Sequence, residues 1–140
     1  MAAKKVKTKM AAKKVVKAGD VMAKNVVFID GSASVSEAVK MMRAKKVSSL
    51  IVKARTADDA FGIVTQKDVV NTIIAMGDNP KEVQVFEIMT KPLITVSPGL
   101  AVKYCARLFA GTGIRRAPVF DGKTIVGILS TSDILKTLEV

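Results

Sequence analysis

Apolar side chains recur along this chain with the two periods of regular secondary structure, and the same succession of periods occurs twice. Val35, Ala38, Val39 and Met42 fall three or four residues apart, the spacing of one helix face, and Ser34 with Glu37 supplies a capping-box signal at its start. Val102, Ala106 and Phe109 repeat that stripe. A short extended segment precedes each helix, Val26 to Ile29 and Leu93 to Val96. Two β-branched runs follow each helix and are expected to pair as hairpins. They are Ser49 to Lys53 with Phe61 to Val64, and Ala117 to Phe120 with Thr124 to Leu129. A second helix starts after Thr65 and again after Ser130. The expected order is β-α-β-β-α, twice, an α/β fold of the α+β type.

The repetition extends to individual residues. Asp20-Val21-Met22 aligns with Glu87-Ile88-Met89 at an offset of 67, which also pairs Val35 with Val102, Val47 with Ile114 and Val52 with Val119. The offset then drops to 65, where Gly62-Ile63-Val64-Thr65-Gln66-Lys67-Asp68 pairs with Gly127-Ile128-Leu129-Ser130-Thr131-Ser132-Asp133. The two-residue change falls between the hairpin strands, where loops tolerate it. The division is a tail over 1–18, a first repeat over 19–77, a connector over 78–86 and a second repeat over 87–140. Units of about 60 residues are marginal alone, so the two are expected to pack around a pseudo-twofold axis.

Composition narrows the chemistry. Of the residues 49 % are hydrophobic but only 4 % aromatic, so the core must be aliphatic. The absence of histidine removes the commonest general base and metal ligand. A lone Cys105 at an apolar helix position reads as a packed thiol, and a single cysteine fits a reducing, cytoplasmic setting. No apolar run approaches the ~20 residues of a membrane helix, and the first 30 residues hold no signal-type apolar stretch. The net charge of +11 is concentrated: Lys4, Lys5, Lys7, Lys9, Lys13, Lys14 and Lys17 precede every acid, and the other 16 basic residues face all 12 acids. Such a tail is expected to be disordered or weakly helical.

The duplicated Gly-apolar-x-Thr/Ser-x-x-Asp pattern, the Ala117-Pro118-Val119 strand and the Asp-Val-Met and Glu-Ile-Met openings resemble a tandem pair of cystathionine β-synthase (CBS) domains over about residues 19–137. The resemblance implies a regulatory module that binds an adenine nucleotide between the repeats, with no catalysis of its own and no required cofactor. AMP, ADP and ATP are the implied ligands, with S-adenosylmethionine as another. One implied site combines Thr65, Lys67 and Asp68 with Ile94, Arg115, Arg116, Ala117 and Pro118; the other combines Ser130, Ser132 and Asp133 with Val27 and Ser48. The Asp is expected to hold ribose hydroxyls, and the hydroxyls and helix N-terminus to face phosphate.

Alternatives stay open on the residues themselves. Thr65-x-x-Asp68 and Ser130-x-x-Asp133 are also plain capping boxes, and an Asp in the first turn can serve both purposes. The first repeat has Ser48-Ser49 where the second has Arg115-Arg116, so the two sites are expected to be unequal, with the arginines serving the Asp68 site. The lysine tail raises a competing function, sequence-blind association with nucleic acid, against which the body offers few aromatics. The resemblance further implies a homodimer, formed through helix faces bearing Met41, Met42, Leu108, Phe109 and Met76, and a separate effector enzyme or transporter.

Overall fold

The computed structural model describes residues 14–91 and 94–140. The tail over 1–13 and Leu93 of the second extended segment lie outside the described residues. Within them the elements run α1 (Ala18–Val21), β1 (Phe28–Ile29), α2 (Val35–Lys45), β2 (Ser49–Val52), β3 (Gly62–Thr65) and α3 (Gln66–Val69), which runs on as a wider helical turn over Val70–Ile74. A 3-10 turn (Val85–Glu87) leads to α4 (Val102–Thr112), β4 (Arg116–Phe120), β5 (Ile125–Ser130) and α5 (Thr131–Leu135).

Both hairpins form. β2 and β3 pair antiparallel with Leu50 opposite Val64, and β4 and β5 with Ala117 opposite Leu129. β1 lies parallel to β2, and a parallel bridge between Val96 and Val119 is its counterpart in the second repeat. Ile51, Ile63 and Ile125 are buried with Phe28, Phe120 and Ile128 packed on them, joining the two sheets. Ser34 caps α2 by accepting from Glu37 N–H at 3.1 Å. The return half of the expected capping box does not form among the described residues; the antiparallel bridge beside it is made by the neighbours, Val35 N–H to Val83 C=O and Val85 N–H to Ala33 C=O.

Each opening segment packs on the other repeat. Ala18 N–H donates to Leu100 C=O at 2.8 Å, and Ala23 pairs with Ile128. In mirror fashion Val85 N–H donates to Ala33 C=O at 2.9 Å, and Thr90 pairs with Ile63. Ala18 and Val85 are fully buried in these crossed positions. The physical reason lies partly at the helix starts, where the first N–H groups have no partner within the helix. Val35 N–H is taken by Val83 C=O and Ser36 N–H by Pro80 C=O, while Val102 N–H is taken by Val16 C=O. Val16, Lys17 and Ala18, grouped with the tail on charge, are thus tied to α4, and the 78–86 connector to α2. Within the segments, Asp20 and Glu87 accept the N–H of Lys17 and Gln84 at 2.9 and 2.6 Å, which accounts for an acid at each opening.

The core of the second repeat contains Cys105, Phe109 and Leu129 with Met22 packed against it; that of the first contains Met42, Leu50 and Val64 with Met89. Met42 and Phe109 are therefore interior residues, unavailable for the interface read from the sequence, because their stripe faces the sheet. Cys105 is fully buried, and burial pushes its thiol up. Among the described residues no helix is long and apolar enough to cross a membrane.

Candidate functional site

β3 and β5 each end in a hydroxyl that starts the next helix. Thr65 N–H and its hydroxyl donate to one oxygen of Asp68, at 2.8 and 3.0 Å, and Thr65 Oγ1 accepts from Asp68 N–H at 3.2 Å. Ser130 and Asp133 repeat the arrangement at 2.8, 2.9 and 3.3 Å. Both motifs are therefore capping boxes. Each cap uses Oδ2, and Oδ1 of either Asp takes no hydrogen bond from the described residues.

Between the repeats these helix starts border two clefts related by the pseudo-twofold axis. One, of about 460 Å³, brings Thr65 and Lys67 together with Ile94, Arg115, Arg116 and Pro118. The volume is within the range of small-molecule sites. Ile63, Ile94, Ile114 and Pro118 supply apolar walls, while Lys67, Arg115 and Arg116 supply charge; among the described residues no carboxylate lines it. The other cleft, of about 340 Å³, joins Ser130, Ser132 and Asp133 to Ser48, Arg116, Asn25 and Lys46.

Three residues read as site members stand elsewhere. Ala117 points into the second core because side chains alternate along a strand: Arg116 and Pro118 face the cleft and Ala117 the opposite way. Val27 packs against the first core. Asp68 is half-buried behind its cap and does not line the larger cleft, although Asp133 lines the smaller.

Two features escaped sequence reasoning. Lys46 lies in the smaller cleft at the position matching Gly113; it closes α2 in the left-handed conformation, with φ 56°, as Gly113 closes α4 with φ 76°. Pro118 has no N–H to donate. At the matching place Ile51 N–H donates to Val27 C=O at 2.9 Å, whereas Ile94 C=O accepts from none of the described residues. The larger cleft therefore keeps a backbone acceptor that the sheet consumes in the smaller one. Arg116 borders both clefts and donates from Nη1 to Ser48 Oγ at 2.7 Å, so it does not serve the Thr65 side alone.

Fold and clefts define a tandem-repeat module whose candidate ligand sites lie between two copies of one unit. The chain belongs to the CBS-domain family, which matches it over residues 18–75 and 85–140. It is similar to the structure of the hexameric CBS-CP12 protein from bloom-forming cyanobacteria, with 53 % identity and a TM-score of 0.83, covering 88 % of this chain and 72 % of that one. An uncharacterized protein of Methanopyrus kandleri is 32 % identical over 123 residues, 86 % of this chain and 62 % of that protein, so the chain spans about three fifths of that relative's length. A CBS domain pair solved in complex with 5′-methylthioadenosine and S-adenosyl-L-methionine shares the fold at 23 % identity, with a TM-score of 0.75, covering 89 % of this chain and 96 % of that one.

Proposed function

We propose that this chain is a regulatory module, without catalysis of its own, that holds an adenine nucleotide in the Thr65 cleft and passes its occupancy to a separate effector enzyme or transporter. The observation that carries the reading is a cleft lined by apolar walls and by Lys67, Arg115 and Arg116, with no carboxylate among its described lining residues, in which the Ile94 carbonyl accepts from none of the described residues. An adenine ring offers flat apolar faces and an amino donor for that carbonyl. Its phosphates suit Lys67, Arg115 and Arg116, since charge-assisted hydrogen bonds are the strong ones. The same cations disfavour the sulfonium of S-adenosylmethionine, so AMP, ADP and ATP are the preferred ligands. Oδ1 of Asp68 is left for a ribose hydroxyl if the cleft closes on its ligand.

The module is further proposed to form a homodimer through the outer faces of the helices that follow the hairpins. Val70, Ile74 and Leu135 are exposed there, as is Met76 beyond them. Calorimetry of the protein against AMP, ADP, ATP and S-adenosylmethionine tests the ligand reading. Nucleotide binding with an accompanying rise in melting temperature supports it; no heat and no shift at millimolar concentration overturns it. Light scattering tests the dimer.

A further inference from the structure

Among the described residues Arg116 and Ser48 are the two that border both clefts, and they hold each other across the repeats through the 2.7 Å hydrogen bond from Nη1 to Oγ. That bond joins a cation to a neutral hydroxyl. A phosphate oxygen in either cleft is a better acceptor, because both partners then carry charge. One guanidinium cannot serve two phosphates on opposite sides of the dividing wall equally well. Without Arg116 the Thr65 cleft still has Lys67 and Arg115, but among the described residues the Ser130 cleft has only Lys46 to set against Asp133.

We propose that Arg116 is a cation shared by the two clefts, so that an anionic ligand in the Thr65 cleft withdraws it from the Ser130 cleft and the two sites bind anti-cooperatively. The inference rests on the nucleotide reading above and adds its regulation. The first ligand takes the Thr65 cleft, where the other cations are. The second meets a site whose remaining lysine is opposed by a carboxylate. By linkage the coupling is reciprocal, and filling the Ser130 cleft weakens the Thr65 cleft by the same factor. The device needs no change of fold, only a change of partner by one side chain.

The test is calorimetry with AMP on the full chain and on a variant whose Thr65 cleft is filled. Ile94 is 40 % exposed on that cleft's wall, so Ile94→Trp plugs it from the surface. Lys67→Trp, at an exposed position, is the second plug should the first not fold. The expected result is that AMP enters the Ser130 cleft of the plugged protein about fivefold or more tightly than the second AMP enters the wild type. The same comparison in an Arg116→Ala background should show no difference. Equal affinities for the second wild-type event and the plugged variant overturn the sharing of Arg116 while leaving nucleotide binding intact. A gain that survives Arg116→Ala also overturns it. Absence of AMP binding to the wild type removes the nucleotide reading, and this proposal with it.

Discussion

The sulfur of Met22 lies against the backbone of Gly127, and that of Met89 against Gly62, so the methionine that opens each repeat is matched to the glycine of the other. The pairs are the side-chain expression of the crossed opening segments. A Cβ at Gly127 would overlap the Met22 sulfur and stand 2.7 Å from its Cγ and 3.0 Å from the carbonyl oxygen of Ala23. A Cβ at Gly62 would stand 2.6 Å from the Met89 sulfur and 3.3 Å from Val52 Cβ. Gly127→Ala and Gly62→Ala should each destabilise by about 1–3 kcal/mol, the usual range for overpacking. Gly127→Ala should cost more, since a backbone carbonyl cannot turn aside as a thioether can. Adding Met22→Ala to Gly127→Ala should recover part of the loss, and denaturant titration of the four-member cycle measures the coupling.

Capping and binding should separate by mutation. Asp68→Ala and Asp133→Ala each remove the two cap hydrogen bonds that the carboxylate accepts, leaving the backbone N–H bonded to the hydroxyl, and should each destabilise by about 0.5–2 kcal/mol. Arg115→Ala changes an exposed residue and should leave stability within about 0.5 kcal/mol of wild type. It should nevertheless weaken AMP about tenfold, the size of one charge-assisted hydrogen bond. Thermal melts and calorimetry on the three variants check this. A full loss of stability with Arg115→Ala, or unchanged affinity, contradicts it.

Restoring a donor at position 118 should close the free acceptor. In Pro118→Ile the new N–H can reach Ile94 C=O as Ile51 N–H reaches Val27 C=O, so the fold has a precedent within the same chain. AMP affinity in the Thr65 cleft should fall by roughly fivefold, about 1 kcal/mol for one neutral hydrogen bond. Inosine monophosphate, which lacks the amino donor, should bind wild type and variant alike.

The acid limb of stability should carry a signature of Asp59. Lys91 donates to both of its carboxylate oxygens at 2.7 Å. With Arg55 N–H also donating to it, the carboxyl drops from its ordinary 3.8 to about 2. A group whose folded value is depressed stabilises the fold above its unfolded value and loses that contribution as pH falls towards the folded one. The contribution is thus complete above about pH 4 and fades between 4 and 2. Asp59→Asn should lower stability at neutral pH and flatten this part of the curve, as read from denaturant midpoints at stepped pH.

What was legible in the sequence is local. The helical stripes, the hairpin strands and the Thr65 and Ser130 caps are set by residues within a few positions of one another, and the structure forms them. The offset between repeats carried the element order, because duplicated local signals make duplicated elements. What only the tertiary structure decided is which copy each segment serves. Met22 stands 105 residues before Gly127, and nothing local distinguishes packing on its own repeat from packing on the other. Burial of Ala18 and Val85, and acceptors for the orphan N–H groups of α2 and α4, favour the crossed arrangement. The same holds in the site. Strand alternation sends Ala117 to the core while its neighbours face the cleft, a left-handed cap carries Lys46 to a cleft wall, and the pseudo-twofold axis places Arg116 between two clefts because it lies where the repeats meet.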